Sequence, residues 1–133
     1  MTLRKTAAAL KTRLEEDSIL NDSTFEGTVI NRPNRYLSLF LSGGQRTQGR
    51  FTGPSSIADY TLVTHSVGTT PEQSQLVEER AQSKLVDWRP VIPGFDCRRV
   101  VHASSQPMDQ DTDVTPPLYF IASSYSLTME AVN

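Results

Sequence analysis

Three groups of residues have types and spacings that can do chemistry. Gly44 to Arg50 (GQRTQGR) imitates the glycine spacing of a phosphate-binding loop. That chemistry needs a lysine for the phosphates and a following hydroxyl for magnesium. Arg50 and Phe51 stand in those places, and Pro54 interrupts any helix that would begin there. A flexible, basic connection between strands is the better reading. Asp109, Asp111 and Asp113 (DQDTD) put acids at alternate positions, as the start of a calcium loop does. The glycine that turns such a loop is replaced by Val114, and the closing bidentate acid would fall on Phe120. The segment therefore reads as a solvated acidic loop, or as an acidic surface facing a neighbour's Arg46 and Arg50.

His65 and His102 form the third group. Two histidines with an acid can hold zinc, and with Ser104 or Ser105 they can serve a hydrolase. There is no His-x-x-x-His, no paired cysteine and no Gly-x-Ser-x-Gly turn to support either. Cys97 precedes two arginines, which favour a thiolate, but a small buried residue is the plainer expectation. Asp59 lies in a strand pattern without a visible titratable partner. Nothing here assembles an active site, and no metal or cofactor is expected.

These residues must be positioned by a scaffold whose outline is legible. Thr70-Pro71-Glu72-Gln73 is a helix start: Thr70 caps free amides, Pro71 needs no N–H there, and Gln73 reaches back to the cap. Val77, Ala81 and Leu85 then repeat every fourth residue, with Leu76 and Trp88 beside the stripe. The pattern predicts a helix over 71–86. A second helix is expected from Thr2 to about Leu20, on a stripe of Leu3, Ala7, Leu10 and Leu14. Its charges oppose the helix dipole: Arg4 and Lys5 are at the start and Glu15, Glu16 and Asp17 at the end. Packing must therefore hold it.

Strands are expected at 26–30, 35–42, 57–67, 98–103 and 118–131, with a short one near Phe51. Leu37, Leu39 and Leu41 alternate with Tyr36, Ser38 and Phe40. Tyr119, Ile121, Tyr125, Leu127 and Met129 share one face of the last strand. Residues 104–117 read as a long polar loop. The order predicts an α+β fold: a mainly antiparallel sheet of four to five strands, with both helices packed on one face. Long strands leave unpaired edges, which a second subunit can cover.

The 133 residues suit one domain spanning the chain. With 37% hydrophobic and 21% charged residues, the core is modest and loops are plentiful. A net charge of −2 provides no basic face for wrapping nucleic acid. Cys97 is the sole cysteine, so no intrachain disulfide forms. The apolar run after Arg4 and Lys5 is too short for a signal peptide, and no run approaches the roughly 20 residues that span a bilayer. The expectation is a soluble protein made inside the cell, without an export address.

Fragments along nearly the whole chain carry a resemblance. They are TLRKTAAALKTRL, RYLSLFLSGG, RFTGP, YTLVTHSVGTTPEQSQLVEERAQSKLVDWRPVIPG, CRRVVHASSQPMDQD and the aromatic strand after PPLYF. With their order, and with THSVG, RP-x-x-x-G and S-x-P, the chain resembles the tail terminator proteins of long-tailed bacteriophages, particularly those infecting actinobacteria. The resemblance implies a non-enzymatic virion protein, assembled in the host cytoplasm and residing in the tail or neck. It implies a six-membered ring of identical copies on the last ring of tube protein, ending polymerisation and docking the head-tail connector or stopper. DNA would pass through the channel without specific binding, and no membrane is involved. Other neck proteins (stopper, adaptor or tail completion protein) share the broad fold and form the alternative. A small metal-dependent enzyme is the more distant one. Within a ring, Arg46 and Arg50 are expected to meet Asp109, Asp111 and Asp113 across a subunit boundary.

Overall fold

Alternating apolar side chains build three long strands, and two amphipathic helices bury one side of them. The computed structural model describes residues 2–27, 33–47, 57–114 and 117–131. Chain order is α1 (Thr2–Glu15), β1 (Thr24–Glu26), β2 (Arg35–Thr47), β3 (Ile57–Gly68), α2 (Pro71–Leu85), β4 (Phe95–Cys97), β5 (Val101–Ser105), β6 (Asp109–Asp111) and β7 (Leu118–Ala131). No described helix is long and apolar enough to cross a membrane.

The sheet runs β1-β2-β3-β7, and β4, β5 and β6 all pair with the far side of β7. β6 lies against Leu118–Phe120, β5 against Ser123–Ser126 and β4 against Met129–Ala131. Together they act as one interrupted edge strand. All ladders are antiparallel except β1 with β2, which is parallel. The fold class is therefore the expected α+β, with both helices on one face.

That face carries the core. Leu10 and Leu14 of α1 and Val77, Ala81 and Leu85 of α2 close on Leu37, Leu39, Tyr60, Leu62, Tyr125, Leu127 and Met129. Each large side chain so buried contributes about 1.5–3 kcal/mol. A smaller cluster of Tyr36, Val67 and Leu118 occupies one end of the other face.

Several boundaries differ from expectation. α1 stops at Glu15 because its last turn tightens: the Glu16 amide bonds to Arg13 and the Asp17 amide to Leu14. The Asp17 carboxylate then accepts the Ile19 amide at 2.8 Å and faces Arg80 at 3.6 Å. Asp17 thus has other partners, as does Glu16, which pairs with Arg13 at 3.2 Å. The Arg13 side chain bonds to the Lys84 carbonyl at 3.0 Å and lies over Trp88.

Thr70 caps α2 as expected, accepting the Gln73 amide. Gln73 reaches one residue further back, however, and accepts from both the amide and the hydroxyl of Thr69. Both donors of Thr69 therefore converge on one oxygen of Gln73. A strand runs over Thr24–Glu26, meeting the expected 26–30 at Glu26; residues 28–30 lie outside the described residues, as does the strand expected near Phe51. β5 starts later than the expected 98–103, since the Val100 amide bonds to Trp88 and not to β7.

Candidate functional site

Of the residues singled out for an interface, Arg46 stands at one end of the sheet and Asp109 and Asp111 at the other. Arg46 belongs to β2 and not to a loop; its register partner is Ala58. β2 continues through the glycines because a bulge between Gly43 and Gln45 absorbs them. Gly43 has φ +120, and a Cβ there would meet the Asp59 carbonyl oxygen at 2.6 Å. Arg50 lies outside the described residues.

Asp109 and Asp111 belong to β6, against Phe120 and Leu118. That part of the expected loop pairs because β7 leaves its first backbone groups open there. Asp113 follows, its amide bonded to the Asp111 carboxylate at 3.0 Å. Phe120 is registered with Val67 of β3. Along β3, Ala58 to Val67 spans about 30 Å at the usual rise per strand residue. Within one subunit the Arg46 end of β2 and the acidic β6 therefore stand apart along the sheet.

Both lateral edges are open among the described residues. β1 covers β2 only from Leu37 to Leu39, ending with the Gly27 amide on the Leu39 carbonyl at 2.8 Å. No described strand lies beside Phe40–Thr47 on that side, nor beyond β4, β5 and β6. Val101, on the second edge, is 57% exposed. Beneath the first edge is an apolar cleft of about 400 Å³ lined by Leu3, Ala7, Leu10, Leu39, Leu41 and Leu62, with Arg4 and Glu26 at its rim.

The helix-free face of the central strands has no Asp, Glu, Lys or Arg from residues 36 to 42, 61 to 67 or 118 to 129. His65 sits there, with its ring 5.0 Å from that of Phe40 and 6.0 Å from that of Phe120. Burial pushes its pKa down. His102 is paired with Tyr125, whose side chain points into the helix-covered core. The two histidines therefore occupy opposite faces, which separates the pair that a shared zinc ion would need. Among the described residues, no three of the His, Cys, Asp and Glu side chains converge as a metal site.

Cys97 is buried, and burial with the nearby Asp96 charge pushes its thiol up, so the following arginines do not activate it. The Asp59 carboxylate accepts the Thr128 hydroxyl at 2.7 Å. Trp88 is partly buried at the rim of the core.

One polar cluster escaped the sequence reading. Glu78, buried on α2, accepts from Ser66 at 2.7 Å, from Gln82 at 2.9 Å and from Ser123. Ser74 on the same face donates to the Ser66 carbonyl at 2.8 Å. Ser123 is joined to Ser105 at 2.8 Å, and Ser105 to His102 at 2.7 Å. Tyr125 lies beside this cluster. Burial, then the Glu78 charge, pushes its phenol well up, while the Thr64 and Ser123 hydroxyls oppose the shift. Neither the Thr64 nor the Tyr125 hydroxyl has an aligned hydrogen bond among the described residues. The signal for the cluster was present in the strand alternation, which puts Thr64 and Ser66 on the same face as Leu62.

No family model matches the chain, and no curated protein sequence matches it. In three dimensions it is similar to a chain of the virion of a native gene transfer agent particle. Identity is 12%, the match covers 93% of each chain, and the TM-score is 0.68. A second solved structure is similar at 12% identity and TM-score 0.68, over 98% of this chain and 96% of the other. At this identity the likeness defines a shared fold.

Proposed function

We propose that this chain is a structural component of a phage-like particle, acting as the ring that terminates its tail tube. The observation that carries this reading is the end-to-end fold likeness to a chain of the gene transfer agent virion. The order of sequence fragments supports the terminator position within such a particle. The geometry is compatible with it. A closed ring of identical copies needs two different surfaces on opposite sides of the subunit. The open β2 edge and the open β4–β6 edge meet that need, and the Arg46 and Asp109–Asp111 ends supply opposite charge.

In this reading the subunit binds its own copies, seats on tube protein and offers its other surface to the head-tail connector. DNA passes without specific binding, since a net charge of −2 gives no reason to retain phosphates. The function needs no turnover, cofactor or metal. The test is to polymerise the cognate tube protein with and without this chain and measure tube lengths by electron microscopy. Termination predicts shorter tubes with a distinct ring at one end. Unchanged lengths and bare ends would refute it, and retention on the portal complex instead of the tube would move the protein to the stopper position.

A further inference from the structure

The hydrogen-bonded path between the surface and Glu78 has a direction that can be derived by counting protons. An ionised carboxylate only accepts, and each serine hydroxyl has one proton to donate. Ser123 donates to Glu78 Oε1. It therefore has no proton left for Ser105, so the Ser105–Ser123 bond of 2.8 Å must be donated by Ser105. Ser105 in turn has none left for His102. The bond of 2.7 Å between them must be donated by His102 Nε2–H. With Glu78 ionised, one arrangement satisfies all three bonds: Nε2–H to Ser105, Ser105 to Ser123, and Ser123 to Glu78.

Two consequences follow. In that arrangement Ser105 is not a nucleophile activated by His102, because its proton points away from the imidazole. His102 also has Nδ1 as its acceptor, so a further proton from solvent must enter there. We propose that His102, Ser105, Ser123 and Glu78 form a proton relay that connects solvent at the β5 edge to the buried carboxylate beneath α2.

The step balances. His102 Nδ1 takes a proton from solvent, and Nε2 passes its own to Ser105. Ser105 passes its proton to Ser123, and Ser123 passes its proton to Glu78 Oε1. One proton enters, the imidazole ends neutral with Nδ1–H, both serines keep one proton, and Glu78 becomes neutral. All three bonds are then re-formed in the opposite direction, so a proton reaches the buried carboxylate without opening the core.

The groups facing this path come from three elements. Tyr125 of β7 lies against the His102 ring at 5.2 Å and near Glu78. Ser66 of β3 and Gln82 of α2 hold the carboxylate. Tyr125 is the one further titratable group among them, and its raised pKa keeps it neutral while the relay works.

Nuclear magnetic resonance on the full chain tests the relay in two ways. With neutral His102, the imidazole nitrogens should show a pyrrole-type shift at Nε2 and a pyridine-type shift at Nδ1; the reverse assignment would overturn the proton order. Followed by saturation transfer from water, the Ser123 hydroxyl proton should exchange with solvent faster than that of Ser66, which donates to the same carboxylate off the path. In Ser105→Ala, an exposed edge substitution, the Ser123 exchange rate should fall to that of Ser66. A Ser123 exchange rate unchanged in the variant would refute the relay.

Discussion

Glu78 carries more of the local stability than its polar side chain suggests in sequence. Removing it leaves the Ser66 and Ser123 hydroxyls without their buried acceptor. Glu78→Ala should cost about 2–3 kcal/mol, since each buried group left unsatisfied costs about 1–3 kcal/mol and the native charge carried its own burial penalty. Glu79→Ala, one position along on the exposed face, should stay within about 0.5 kcal/mol. Urea unfolding of the two variants checks the contrast.

The pH profile tests the buried groups that titrate. Burial lowers the His65 pKa, so the unfolded chain takes up this proton first as pH falls. Its contribution to stability should decline as pH drops through about 6.5, the unfolded value. His65→Asn should flatten that part of the acid limb. Tyr125 and Cys97 are raised, so the unfolded chain releases their protons first as pH rises. Stability should fall again as pH climbs through about 8.5 and then about 10. Thermal melts across pH, for the native protein and the His65 variant, read both limbs. Of these residues, the sequence identified His65 and Cys97. Glu78 and Tyr125 became informative only once α2 was seated on β7, a contact between distant segments that no local pattern encodes.

At the scale of elements, capping and close approach set the entry to α2. Thr70→Ala removes one cap bond and should cost about 1 kcal/mol. Gly68→Ala should cost more, about 1–3 kcal/mol, because the new methyl would meet the Gln73 Cβ at 2.6 Å and the Ser74 amide nitrogen at 2.7 Å. Measured together, the two substitutions rank packing against capping; the opposite order would show that the turn after β3 yields easily. α2 and β7 were legible because their signals are local: a cap with proline at the first turn, and an apolar alternation over a long run. The limits of α1 and β5 were less so. Asp17 ends α1 through its own Asx-type bond, and the Val100 amide leaves the β5 ladder for Trp88. Both are decided by single hydrogen bonds that periodicity does not show. β6 was hidden for another reason, since Asp109-Gln110-Asp111 has no strand propensity and pairs because β7 is longer than the strands before it.

At the scale of the whole molecule, the separation of charge becomes meaningful. One subunit keeps Arg46 and Asp109 about 30 Å apart along the strand direction. In a head-to-tail ring, surfaces on opposite sides of a subunit are the ones that meet. Reversing Arg46 and Arg50 to Glu should weaken assembly, as should reversing Asp109, Asp111 and Asp113 to Lys. Combining both sets should restore it. Exposed pairs contribute at most about 1 kcal/mol each, so sedimentation at low salt gives the clearest reading. A combined variant no better than either set alone would show that these charged groups do not meet. The candidate interface was only partly legible, since side-chain identity locates charge but not what that charge meets.

The account depends most on the claim that open sheet edges are completed by identical subunits. Electron microscopy of the purified full chain, paired with sedimentation velocity, tests it most directly. Closed rings of uniform diameter, six copies each, are the predicted result. A monomer at every concentration, with or without tube protein, would contradict it.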